Sequence, residues 1–132
     1  MNRRRPAGLV AALVLVAALT LLPAGTGWAW GSPTAELRWY ATGLDSTATM
    51  LQLVGNVGLL TAPAVLAVLR WPALGRPGPL AATALATATA IELLQWALPL
   101  GRVVSPLDAL LNSTGAVLAG LLVARMRRSA PA

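Results

Sequence analysis

Residues 91–115 read IELLQWALPLGRVVSPLDALLNSTG. Glu92, Gln95, Arg102, Asp108 and Asn112 fall within this one stretch, and it holds two of the four acids in the whole chain. Apolar runs lead into it and out of it. Two hydrophobic helices joined by the short connection ALPLGRVVSP must be antiparallel neighbours, which hangs Arg102 over the join and aligns the polar residues of both helices near one end.

The composition suits neither a soluble domain nor a disordered chain. Hydrophobic residues make up 57% of the 132, charged residues 11%, and mean hydropathy is +0.70, which is the balance of a membrane protein. All ten basic residues are arginine and the net charge is +6. The arginines sit at the ends of apolar runs, so the charge does not indicate nucleic acid. Cys, His and Lys are absent. That removes disulfides, thiolate nucleophiles, zinc-thiolate sites, the usual proton shuttle and Schiff-base amines. Chemistry would have to use carboxylates, hydroxyls or arginine, and no metal or cofactor is expected.

A hydrocarbon core of about 30 Å needs roughly 20 helical residues. Four apolar runs approach that length: Ala7 to Leu22, Met50 to Leu69, Leu80 to Leu98 and Pro106 to Ala124. The expected fold is an all-α integral membrane bundle of four transmembrane helices. Its divisions are a basic N-terminus over 1–6, a first helix over 7–24, an outer loop over 25–49, a three-helix region over 50–124 and a basic tail over 125–132. The first helix has a second reading, as a secretory signal with a cleavage site at the small residues Gly27 and Ala29. Both readings put the following segment outside. Arg3, Arg4, Arg5, Arg70, Arg76, Arg125, Arg127 and Arg128 fall on one side of this map, and Arg38 and Arg102 on the other. The positive-inside rule then puts both termini in the cytoplasm of a multi-pass cell-membrane protein. In the outer loop, Ser32-Pro33 can begin a short interfacial helix with Trp39 and Leu44 toward lipid. The inner loop RWPALGRPGP reads as a connector.

With these directions, Asn56, Glu92 and Asn112 each lie six residues, roughly 9 Å, below the outer interface. Glu92 and Gln95 are three apart, Asp108, Asn112 and Gly115 four and then three apart, and Gln52 and Asn56 four apart, so each set shares a helix face. An ionisable group inside a membrane helix is costly, which makes Glu92 the leading functional candidate. Asp108 also suits the first turn of a helix as a dipole partner. Arg102 can reach Glu92, Asp108 or an incoming anion. Gln95, Asn56 and Asn112 are assigned to orienting these three, or to hydrogen bonding between helices. Gly115, Ala116, Ala119 and Gly120 form a small-residue packing face.

The order Asn56, then E-x-x-Q at Glu92 to Gln95, then Arg102, then D-x-x-x-N-x-x-G at Asp108 to Gly115 resembles the VanZ-like family. These are small bacterial membrane proteins named for a teicoplanin-resistance protein. The resemblance runs from about Leu51 to Val123. It implies a membrane bundle and an association with lowered susceptibility to a lipoglycopeptide acting on envelope precursors, with no defined reaction. The chain departs from the pattern at Leu60, where an aromatic is usual, and at Pro63, which stands about one residue late. It also has Ser105 where a further acid is common. Those departures imply a different bend in helix two and a site with one carboxylate fewer.

The functional expectation is a membrane protein, non-enzymatic or of undefined mechanism, whose outer-leaflet polar pocket engages membrane lipids, a lipid-linked headgroup or a glycopeptide-type ligand. Glu92, Arg102 and Asp108 would be its recognition residues. Two alternatives stay open: a membrane enzyme acting on a lipid-linked substrate through a buried carboxylate and Arg102, and a small subunit that uses the Gly115 to Gly120 face against a partner or a second copy.

Overall fold

The computed structural model describes residues 4–129. Arg3 in the arginine count, positions 1–3 of the basic N-terminus and positions 130–132 of the basic tail lie outside the described residues. In chain order the elements are α1 (Arg4–Leu21), β1 (Gly27–Trp30), α2 (Pro33–Thr42), α3 (Thr47–Leu59), α4 (Thr61–Arg70), a 3-10 turn (Pro72–Gly75), α5 (Pro77–Ala97), β2 (Leu100–Val104) and α6 (Pro106–Ser129). The chain is mainly helical. Three stretches are long and apolar enough to cross a membrane: Thr47–Arg70, Pro77–Ala97 and Pro106–Ser129. The first expected span is a shorter apolar helix, Pro6–Leu21.

The expected second span is split at Leu60 into α3 and α4. Pro63 has no N–H to give to the Leu59 carbonyl, so the i to i−4 ladder lapses there, and it resumes where Ala64 N–H donates to the Leu60 carbonyl at 3.0 Å. The helix is therefore interrupted at Leu60, which is itself buried.

Helix α6 is the central element, with α3, α4 and α5 packed around it, while α1 lies against α4 and α5. The core joins Val16, Leu60, Ala84, Ala88, Ile91, Ala109 and Ala116. A smaller cluster of Val68, Leu80 and Ala124 seals the opposite end. Small residues let these backbones approach closely. Gly115 rests on the Val57 backbone of α3, and Gly120 on the Leu80 side chain of α5. The Gly115 to Gly120 face is thus occupied within the chain. Large apolar side chains such as Leu51, Leu118 and Leu122 are exposed instead, as expected where hydrocarbon is the solvent.

One end of the bundle holds an unexpected two-stranded parallel sheet. β1 pairs with β2, with Trp28 opposite Arg102 and Trp30 opposite Val104. The backbone of Ala24 donates to the Leu100 carbonyl at 2.7 Å, and that of Gly31 to the Val104 carbonyl at 2.8 Å. These bonds tie the segment after α1 to the join between α5 and α6. The expected interfacial helix is α2, and it ends at Thr42, before Leu44. At the other end, Arg127 donates to the Val68 and Leu69 carbonyls at the close of α4, both at 3.3 Å, a favourable place for a cation. The RWPALGRPGP loop is a connector shaped by one 3-10 turn.

The sheet depends on Gly101. Its φ is +68°, in the left-handed region, and a Cβ there would collide with the Gly25 backbone. Gly101→Ala is expected to lower stability by roughly 2 kcal/mol, strain and overpacking acting together. Unfolding in mixed micelles measures it, and an unchanged midpoint would refute the close approach.

Candidate functional site

The polar residues of α3, α5 and α6 and of the β2 join face a common cavity of about 610 Å3 at the sheet end of the bundle. Asn56, Glu92, Gln95, Arg102, Asp108 and Asn112 all border it. So do Glu36, Trp39 and Tyr40 of α2, and Glu36 and Tyr40, four apart, share one helix face.

Ser105 joins the groups together. It is fully buried and stands immediately before α6. Its hydroxyl accepts the Asp108 N–H at 3.2 Å, which is an N-cap bond, and donates to Glu36 Oε2 at 2.5 Å. Its own N–H donates to Glu92 Oε2 at 2.7 Å. In a capping box that second bond would end on the residue three positions into the same helix. Here Asp108 holds that position, and its carboxylate turns instead to Asn56, whose Nδ2 donates to Oδ1 at 2.5 Å. Glu92, from the neighbouring helix, takes its place as acceptor. A carboxylate buried to 8% exposure thereby has a backbone donor.

Several assignments change. Arg102 does not reach Glu92 or Asp108 with the hydrogen bonds it makes: its Nε and Nη2 donate to the Leu22 carbonyl at 3.2 and 2.9 Å. β2 pairing holds its backbone beside the end of α1, where carbonyls without helical partners are the nearest acceptors. Gln95 does not orient Glu92 either. Its Nε2 donates to the Thr20 carbonyl at 2.9 Å, fastening α5 to the last turn of α1. Asn56 hydrogen-bonds to Asp108. Asn112 is 2% exposed, and its Oδ1 has no hydrogen-bond partner.

Replacement of an acid by Ser105 does not leave the site one carboxylate short. Glu36 arrives from α2 and places its carboxylate on the Ser105 hydroxyl. The sequence reading missed Glu36, Tyr40 and Ser105. The available signal was the rarity of acids, since an acid and a tyrosine four apart on a short interfacial helix face the same way. Tyr40 is buried against Trp39, ring centroids 5.1 Å apart. Burial raises its phenol above the ordinary value of 10.0, the Asp108 charge adds to this, and Asn56 opposes it. The phenol keeps its proton at neutral pH and faces the cavity as a hydroxyl.

Glu92 also borders a second, mainly apolar groove of about 600 Å3, walled by Trp30, Leu93, Trp96 and Leu110. One carboxylate thus stands between a polar chamber and a greasy surface groove. Among the described residues, no group of three or more acids has the arrangement to hold a metal ion.

The family profile described as VanZ/LLP1 matches residues 9–127. The match takes in α1, which the motif resemblance from Leu51 onward did not reach. No curated protein and no solved structure matches the chain.

Proposed function

The chain belongs to the VanZ/LLP1 family, and from that premise we propose a multi-pass cell-membrane protein whose chamber, open toward the outer leaflet, binds the polar head of an envelope lipid or glycopeptide-type ligand. The observation that carries this reading is the convergence of Glu36, Glu92, Arg102 and Asp108 on one cavity. Ionisable groups at membrane depth are costly, and groups held there by specific donors suit recognition better than packing. The apolar groove on the other side of Glu92 supports an amphiphilic ligand, with its hydrocarbon part beside Trp96 and Leu93.

The proposal includes four spanning helices with both termini cytoplasmic. Arg70, Arg76, Arg125, Arg127 and Arg128 belong to the end away from the sheet, which the positive-inside rule assigns to the cytoplasm. Helix α1 is retained in this reading. Its support is that Gln95 and Arg102 end on carbonyls of Thr20 and Leu22, bonds that a cleaved signal would take away. Trp28, Trp30 and Trp96 are exposed near the sheet end, in keeping with an interfacial belt.

Charge-neutral substitutions test it. Glu92→Gln, Arg102→Gln and Asp108→Asn should each weaken ligand binding about tenfold, the effect of losing one charge-assisted contact. In a host whose glycopeptide susceptibility depends on the gene, each should shift susceptibility toward that of the deletion strain at unchanged protein level. Unchanged susceptibility in all three, at equal level, would sink the reading.

A further inference from the structure

The chamber is lopsided in charge and in hydrogen-bonding character. Three of the chain's four acids, Glu36, Glu92 and Asp108, border it against one guanidinium, that of Arg102, an excess of two negative charges when all are ionised. Arg102 has already committed Nε and Nη2 to a backbone carbonyl. Each carboxylate has one oxygen on a protein donor, namely Ser105 Oγ, Ser105 N or Asn56 Nδ2. A carboxylate can accept several more hydrogen bonds than that. The independent observation is Asn112. It lies one helical turn beyond Asp108 on α6, lines the same cavity, and its deeply buried Oδ1 is an acceptor with no donor. A buried acceptor left without a partner is destabilising, so a ligand able to donate to it is favoured. The unmet capacity of the chamber is therefore for positive charge and for N–H donors together.

Three kinds of cation can be compared. A divalent metal wants several oxygen ligands at once, and no acid cluster among the described residues provides them. A quaternary ammonium carries charge but no N–H and would leave Asn112 unpaired. A primary ammonium has three donors and no acceptor, and so matches both deficits. We propose that the chamber is a primary-ammonium site, with Glu36, Glu92 and Asp108 as its anionic walls and Asn112 Oδ1 as its buried acceptor. This deepens the headgroup reading above and rests on it. It also gives Glu36 a recognition role. The ammonium could be carried by a membrane aminolipid or by a soluble amine such as an amino sugar, and the experiment separates these sources.

The full-length protein in detergent is titrated with dioleoyl phosphatidylethanolamine, dioleoyl phosphatidylcholine and dioleoyl phosphatidylethanol, and bound lipid is counted by native mass spectrometry. The three probes share chains and phosphate. They differ in carrying a primary ammonium, a quaternary ammonium or none. The expected result is half-saturation by phosphatidylethanolamine at about tenfold lower concentration than by either of the others, from one charge-assisted contact at the least. Glu36→Gln, which can still accept from Ser105, should remove most of that preference. The preference in the unaltered protein stands as a test even where the variant folds poorly. Glucosamine forms the soluble arm: saturable binding of glucosamine without a phosphatidylethanolamine preference supports the ammonium site and assigns it to a soluble ligand. Equal retention of all three lipids, with no glucosamine binding, overturns the ammonium proposal. If that equal retention is lost in Arg102→Gln, the headgroup reading survives it, whereas binding of neither lipid nor amine refutes both.

Discussion

Gly115→Val should abolish assembly of the bundle, lowering stability by about 4 kcal/mol or more, at the upper end of what overpacking does. A Cβ built at Gly115 would collide with the backbone carbonyl of Val57 and crowd its Cα. A flexible side chain could swing aside. The Val57 carbonyl, in the last turn of α3, cannot move without shifting that end of the helix, and the residue before it is Asn56, the donor to Asp108. The loss therefore propagates from packing to the chamber. Folded yield and unfolding midpoint in mixed micelles are the measurements. Gly55→Ala is the matched comparison, because a Cβ there meets nothing within 4 Å. It should be neutral or stabilising by up to about 1 kcal/mol, since alanine loses less backbone entropy than glycine in a helix. Equal outcomes for the two substitutions would mean that α3 and α6 do not approach so closely.

The contrast shows what a sequence can reveal. Hydropathy and helix rise were enough to find three long apolar stretches and to align Asn56, Glu92 and Asn112 on one cavity, because a 1.5 Å rise and a short join leave little freedom. The parallel sheet was not legible. β1 and β2 meet through backbone groups from segments some seventy residues apart, and GWAW and LGRVV carry no alternating pattern to announce it. The same pairing redirected Arg102. Without β2 fixed beside the end of α1, a guanidinium near two carboxylates is naturally assigned to them; with it, the unpartnered carbonyl of Leu22 is nearer. Glu36 was hidden for another reason. An acid in the first turn of a short helix has an ordinary explanation in the helix dipole, and only the folding of α2 over the bundle turns its carboxylate onto Ser105. Ser105 itself read as a missing acid. In three dimensions it is the residue that links two carboxylates and caps α6.

That linkage makes Glu92 separable into its structural and its functional parts, and the two parts predict different results. Glu92→Leu removes the acceptor of the Ser105 N–H, a buried donor. An unmet buried donor costs about 1 to 3 kcal/mol. The replacement is of similar volume and apolar, and it also ends the burial of a carboxylate, which offsets part of that loss. The net expectation is a destabilisation of about 2 kcal/mol, with the start of α6 loosened. Glu92→Gln keeps an oxygen for the Ser105 N–H and nearly the same shape, so the expected change in stability is under about 1 kcal/mol. What it does remove is the charge. If Glu92 serves only to cap α6 from a neighbouring helix, the glutamine variant should retain both fold and activity. If the chamber recognises its ligand through that carboxylate, the glutamine variant should fold and fail. Unfolding midpoints beside susceptibility or lipid retention decide between them: a glutamine variant that is fully active, next to a leucine variant that is unstable, would make Glu92 a structural residue and remove it from the recognition set.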